Sequence, residues 1–375
     1  MTIPSTHKVA ILVRHEDGAY HFEAKTVPIP EIGPRDLLVR LSVTGVCGSD
    51  FHLAAGHLGP TCDILGHEGV GRVVKLGSAV DPSFVNVGTR VGLGWVRDVC
   101  EECYCCMSPG GEGRCMAKLC SGLRRDGTFA EYAVVPSRYI IRIPEDVPDD
   151  LVAPILCGGV TAYKAIKVSE AVPGRWMLIS GAGGGVGALG VQYAKSMGYR
   201  VIAIDLGDAD RKREYCLKLG AEAYFDAREV DAAKIQSLTG DGAAAVLVMA
   251  NTGKAYQAAL DFVAPLGTVV CVGIPAYEDK VSFHPTLGIN KGVRIIGSAV
   301  GTRKDIWEAI EFVQRGAVKP AVEMASLDDL SEIAKNFGKV SELVTSVAIS
   351  LRSTQTSGKY VIRLGDEATG QPNGA

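Results

Sequence analysis

Residues 176–190 read WMLISGAGGGVGALG. A short apolar run stops at a turn carrying Gly183, Gly184, Gly185 and Gly187, and an apolar-periodic segment follows. This order predicts a buried strand, a glycine turn and a helix. Glycines leave room for a close backbone approach, and a helix beginning near Val186 offers free N–H groups to a pyrophosphate. A glycine-rich turn alone is as often a packing turn, so its context decides. The next strand-like run, RVIAIDL, ends near Asp205, 18 residues after Gly187. An acid there accepts hydrogen bonds from the adenine ribose hydroxyls and repels a 2′-phosphate, which favours NAD over NADP. A solvated strand-end acid is the plainer reading of Asp205, and the run Arg211-Lys212-Arg213 could pair with a phosphate instead.

Downstream, AAVLVMA, TVVCVGI and VRIIGSAV read as further buried parallel strands. Between the strands lie the helical patterns VGALGVQYAKSMG, DRKREYCLKLG and GKAYQAALDFVAPLG. The alternation is that of a doubly wound α/β domain. Upstream the character differs. Short Val- and Leu-rich runs ending in glycine, such as LLVRLSVTGV and EGVGRVVKLG, predict an irregular β-rich domain. A chain of 375 residues is long for one core and fits two domains.

The composition is 47% apolar and 22% charged with a net charge of −3, which supplies neither a basic nucleic-acid surface nor a polybasic membrane arm. No apolar run reaches the roughly 18 residues of a membrane span. The N-terminal stretch lacks the pattern of a signal peptide and the C-terminal residues carry no peroxisomal or prenylation signal, so a cytoplasmic location is expected. Eleven cysteines in a reducing compartment point to metal binding rather than disulfides.

Four of them, Cys100, Cys103, Cys106 and Cys115, sit at spacings suited to a tetrahedral four-sulfur zinc shell, leaving Cys105 and Cys120 outside the set. An iron–sulfur cluster uses similar spacings. A second set is dispersed. GVCGSDFH carries Cys47, Ser49, Asp50 and His52, GHEGVG carries His67 and Glu68, and PILCGG carries Cys157. Each alone is unremarkable, since a lone cysteine is usually a small buried hydrophobe. Together they could supply two thiolates and an imidazole, with one zinc position open to substrate.

These motifs, with PILCGGVTAYKA, GAGGGVG and QYAKSMGYRVIAID in the same order, resemble the zinc-dependent medium-chain alcohol dehydrogenases, in their yeast and fungal branch. The resemblance runs from about Val9 to Leu364. It implies a GroES-like catalytic domain at 1–157, a Rossmann NAD-binding domain at 158–301 and a segment at 302–375 that completes the catalytic domain. It implies two zinc ions per chain. Cys47, His67 and Cys157 match the catalytic-zinc ligands, and Cys100, Cys103, Cys106 and Cys115 the structural-zinc ligands. Ser49 and His52 match the proton relay, Glu68 the acid behind the metal, and Asp50 the partner of the histidine ligand. Gly184, Gly185, Val186, Asp205 and Lys212 match cofactor contacts, and Val272, Ile274, Ser298 and Val300 match positions on the nicotinamide side. Trp95 and Leu58 match pocket positions, Leu58 standing where a tryptophan is usual.

The implied reaction is alcohol–carbonyl interconversion by hydride transfer to or from NAD, in a homotetramer or dimer. A polyol or secondary-alcohol dehydrogenase shares the CGSD motif. A zinc-binding nucleic-acid module is the reading from outside enzymology, and the mildly acidic chain opposes it.

Departures from the family pattern are few. The segment between Asp50 and His67 is short, eight residues rather than seven precede Cys115, Thr89 replaces an aspartate, and Lys359 replaces an arginine expected near the cofactor phosphate. Residues 340–355, VSELVTSVAISLRSTQ, interrupt a family junction that would otherwise join NFGK to TSGKYV. They read as a surface loop or edge strand, or as an intron retained in frame.

Overall fold

The computed structural model describes residues 2–342 and 358–365. From residue 343 on, the insertion expected at 340–355 lies outside them.

The nucleotide-binding domain is built on a wholly parallel six-stranded sheet. Its order is Ala223–Asp226, Arg200–Asp205, Trp176–Ser180, Ala243–Val248, Val263–Cys271, Arg294–Gly297. Numbered within the domain this is 3-2-1-4-5-6, the Rossmann arrangement, whose switch point lies between the first and fourth strands. Trp176–Ser180 is buried along its whole length, as its continuous apolar sequence requires of a strand covered on both faces. The glycine turn leads straight into the helix Gly185–Ser196, capped by Gly184 in extended conformation. A Cβ at Gly187 would overlap the Gly181 carbonyl, so this helix can lie so close to its strand only with glycine there.

Two elements differ from the expected pattern. VAPLG, expected to extend the helix Gly253–Phe262, instead opens the strand Val263–Cys271. Pro265 has no N–H for a helix, Leu266 takes a positive φ of 61°, and pairing with the neighbouring strand shifts register between Ala243 and Ala245. The strand Ala223–Asp226, not anticipated, forms the other edge of the sheet.

The β-rich domain centres on the long strand Asp36–Gly45. Gly69–Leu76 runs antiparallel beside it, followed by Arg90–Leu93 and Ile141–Arg142. Along its other edge, Tyr132–Pro136 pairs with residues 36–40 and Lys359–Arg363 with residues 43–45. The latter strand also pairs in parallel with Val322–Ala325, so chain from beyond the nucleotide domain completes this sheet. Leu37, Val39, Leu41, Val91, Leu93 and Phe129 form the centre of its core.

The two domains share a continuous apolar junction that includes Val43, Val70, Leu156, Val160, Met177 and Ile306. The helix Arg303–Gln314 bridges them. On one side Asp305 takes Lys164 and Lys167 at 2.9 Å each, and the Ala309 carbonyl accepts the Tyr193 hydroxyl at 3.0 Å. On the other, Trp307 Nε1 donates to the Arg142 carbonyl at 3.1 Å.

Gly187→Ala is expected to cost about 1–3 kcal/mol by overpacking against the Gly181 carbonyl, seen as urea unfolding at lower concentration. Gly288→Ala, where an added Cβ meets nothing within 4 Å in the helix Thr286–Lys291, should leave the transition in place or raise it.

Candidate functional site

The dispersed set converges where the domains meet. Cys47 caps the helix Gly48–Ala54 in extended conformation, and the first turns of that helix carry Ser49, Asp50 and His52. Asp50 is fully buried and turns back on its own helix start. Its Oδ2 accepts from Cys47 N at 3.1 Å, and its Oδ1 accepts from Gly66 N at 3.1 Å and from His67 Nδ1 at 2.8 Å. A carboxylate at Nδ1 fixes the proton there and leaves Nε2 as a lone-pair donor. His67 Nε2 is buried and has no hydrogen-bond partner. Cys157 arrives from the other side, at the start of the helix Gly158–Ser169. Its sulfur stands 3.8 Å from that of Cys47. One donor atom each from Cys47, His67, Glu68 and Cys157 lies within 4.8 Å of the others.

These residues fit a zinc ion. Zinc–thiolate bonds of about 2.3 Å in a tetrahedron give sulfur–sulfur edges of about 3.8 Å. The contact with Cys157 holds the Cys47 thiol well below its ordinary range, while contact with Cys47 and burial hold Cys157 well above it. A divalent cation would take both sulfurs as thiolates and give the orphaned imidazole nitrogen a partner.

Glu68, completely buried, packs against Gly45, where a Cβ would overlap its Oε2. Its Oε1 accepts from Lys359 Nζ. Burial works against the Lys359 ammonium, but Glu68 and the two sulfurs outweigh it and keep the amine protonated. Lys359 was expected near the cofactor phosphate. Its side chain does run past the helix start, with Cδ 3.4 Å from where a Gly185 Cβ would be, but its charge ends on Glu68. The Trp95 and His67 rings meet in a T-shaped contact, 5.0 Å between centroids. Ser49 Oγ lies 3.8 Å from Cys47 Sγ. His52 Nδ1 is 3.3 Å from His57 Nδ1. Desolvation first, and then His57, holds the His52 pKa below 6.5. Leu58 is exposed beyond this helix.

The four-cysteine loop also closes on itself. Cys100, Cys103, Cys106 and Cys115 bring their sulfurs within 4.8 Å of one another. Cys100 lies 3.9 Å from Cys106 and 3.6 Å from Cys115, again tetrahedral edges. Backbone N–H groups of Glu102 and Cys103 lower the Cys100 thiol to about 7, while desolvation and neighbouring thiols push Cys106 up to about 12. Cys105 and Cys120 stay outside the cluster.

In the nucleotide domain, Gly184, Gly185 and Val186 form the N-terminus of their helix. Asp205 ends its strand, accepts from Gly183 N and Leu206 N, and stands 3.6 Å from Lys212 Nζ. Val272 and Ile274 follow the fifth strand of the sheet order, and Ser298 and Val300 the sixth. Val186 Cγ2 is 3.7 Å from where a Gly158 Cβ would stand, so the dinucleotide turn and Cys157 are neighbours.

Residues 33–145 match the alcohol dehydrogenase GroES-like domain and residues 185–315 the zinc-binding dehydrogenase domain. Alcohol dehydrogenase 2 of Emericella nidulans is 39% identical over 356 residues, covering 89% of this chain and 94% of its own. The chain belongs to the zinc-binding alcohol dehydrogenases. Among solved structures, the acetophenone reductase of Geotrichum candidum in complex with NAD matches with a TM-score of 0.79 at 27% identity, covering 97% of this chain and 98% of that one. A zinc-binding dehydrogenase from Sinorhizobium meliloti bound to NADP matches with a TM-score of 0.79 at 26% identity, covering 96% and 100%.

Sequence reading of this alcohol dehydrogenase missed two groups at the site and one buried charge elsewhere in the β-rich domain. His57 lies beside His52, and only its spacing of five residues hinted at that. The pairing of Lys359 with Glu68 spans 291 positions and left no local signal. Arg97, behind Trp95 in sequence, is 1% exposed and donates to the Val134 carbonyl at 2.7 Å.

Metal analysis should find two zinc ions per chain. Cys47→Ser should remove one with a small change in thermal midpoint. Cys103→Ser should remove the other and lower the midpoint by several degrees, because a structural metal couples directly to folding.

Proposed function

We propose that this alcohol dehydrogenase oxidises an alcohol to an aldehyde or ketone at the domain junction, reversibly, with NAD as the hydride acceptor. The observation that carries this is the orphaned, buried His67 Nε2 beside two sulfurs, one of which adjoins the helix that abuts the glycine turn. Zinc bound by Cys47, His67 and Cys157 supplies Lewis acidity to the alcohol oxygen, and NAD supplies the hydride acceptor. The chain's own residues do the rest. Asp50 fixes the His67 tautomer. Trp95, whose ring packs against that of His67, lines the site and helps to exclude water. Ser49 receives the alcohol proton, and His52, one turn along the same helix, takes it onward. A His52 ring held below its ordinary pKa is neutral at physiological pH and can accept that proton.

Asp205, at the strand end with a backbone N–H and Lys212 already beside it, supports binding of the adenine ribose. None of the eleven cysteines is joined in a disulfide, which supports a reducing, cytoplasmic setting. The strand Arg294–Gly297 is an edge of its sheet with Ile295 exposed, and Ile289 nearby in sequence is 77% exposed, which supports a homo-oligomer.

Three measurements test this reading. NAD should give a higher kcat/KM than NADP, and Asp205→Ser should narrow the gap; a higher value with NADP would point to Arg211-Lys212-Arg213 instead. The kcat/KM for alcohol oxidation should rise with pH through an inflection below 6.5, because His52 must be neutral to accept the proton, and His52→Gln should remove that inflection. With Leu58 in place of a larger side chain, medium-length or branched alcohols should be better substrates than ethanol, each methylene being worth about 1–3 kcal/mol. Sorbitol and butane-2,3-diol belong in the same panel, since a preference for them would place the enzyme in the polyol branch.

A further inference from the structure

The four-cysteine lobe grips the nucleotide-binding domain at two points. Arg114, immediately before Cys115, donates through Nη2 to the Gly297 carbonyl at 2.9 Å. Glu112 accepts from Arg303 N at 2.9 Å through Oε1. Gly297 ends the last parallel strand, and Arg303 begins the helix that bridges the domains. Residues 298–302 are therefore held at both ends by one small lobe of the other domain. The second grip is reinforced. The Arg303 guanidinium lies over the Tyr139 ring at 4.1 Å, donates to the Arg138 carbonyl at 2.8 Å and approaches Glu112 Oε2 at 3.6 Å.

The segment between the grips is unusual in three ways. Val300 has a φ of 49°, in a left-handed region that a β-branched residue rarely adopts. Such a conformation persists only when its surroundings over-determine it. Gly301 packs so tightly that a Cβ would overlap Val160. Ser298 is tied by its N–H to the Cys271 carbonyl at 2.9 Å, yet its hydroxyl is buried with no partner. Buried hydroxyls ordinarily have one. In this strand order Asp205 marks the half of the sheet that takes the adenosine, so the carboxyl ends of the other three strands receive the nicotinamide half. Ser298 and Val300 follow the outermost of those strands.

We propose that Arg114 and Glu112 are positioning residues for the nicotinamide half of the cofactor: by clamping Gly297 and Arg303 they set the backbone that presents Ser298 and Val300. The four-cysteine lobe then acts on the far domain as well as on its own folding. This rests on reading the chain as a nicotinamide-dinucleotide enzyme.

The test compares NADH with ADP-ribose, which lacks the nicotinamide. Both are titrated against the unaltered enzyme, Arg114→Ala, Glu112→Ala and Arg114→Lys, with zinc content measured on the same samples. In both alanine variants the Kd for NADH should rise about fivefold, equivalent to about 1 kcal/mol, the scale of one hydrogen bond. The Kd for ADP-ribose and the zinc content should stay put, and Arg114→Lys should recover most of the NADH affinity. Parallel weakening of both ligands, weakening of neither, or weakening that appears only with loss of zinc would overturn the proposal. Failure of the unaltered enzyme to bind either ligand would instead overturn the reading on which it rests.

Discussion

Two sulfurs and an imidazole nitrogen must meet at a boundary between domains, and much of the architecture serves that meeting. Cys47 and His67 hang from the β-rich domain, while Cys157 begins the helix that opens the nucleotide domain. Asp50 binds the first two together by accepting from Cys47 N and His67 Nδ1 at once. Glu68 follows His67 and is held by Gly45 on one side and Lys359 on the other. Lys359 passes the glycine turn on its way. A shift of either domain would therefore move the donor atoms, the buried acid and the dinucleotide turn together. The apolar junction that prevents such a shift contains side chains from both domains, so stability and site geometry are one problem here.

The two metal sets solve opposite problems. The four-cysteine set closes within one short loop, around the four-residue helix Tyr104–Met107, and needs little core of its own. Short loops lose little entropy on closure, and the metal itself supplies the ordering. Cys47, His67 and Cys157 come from distant parts of the chain and can assemble only after the sheet, the helix cap and the junction exist. Zinc binding there reports a finished fold, whereas zinc binding in the lobe helps to make one.

The sequence made the local features legible. The glycine turn, the acid at Asp205 and the spacing of the four cysteines each lie within a few residues, and the structure puts the turn at a helix N-terminus, Asp205 at the end of its strand and the four sulfurs within reach of one another. Long-range features were hidden. Ala223–Asp226 is a strand because its neighbour Arg200–Asp205 offers an edge, and its own apolar run, three residues between Glu222 and Asp226, was too short to signal one. VAPLG continued a helical apolar pattern until Pro265 met the sheet. Arg97 reads as a surface residue but is buried, where desolvation lowers its pKa to about 9 and backbone carbonyls supply its partners. The convergence of Lys359 on Glu68 depends on a strand from one end of the fold pairing with a strand near the other.

That strand, Lys359–Arg363, bears on how the molecule is made. It fills the edge of Asp36–Gly45 along residues 43–45, and the Tyr360 carbonyl accepts from Val46 N, next to Cys47. During synthesis that edge leaves the ribosome long before its partner does. The parallel domain, continuous in sequence, can complete its sheet first. The nascent catalytic sheet waits with exposed backbone groups beside a zinc-ligating cysteine until the closing strand arrives. Order of synthesis thus separates the making of the cysteine ligand from the making of the strand that closes the sheet beside it.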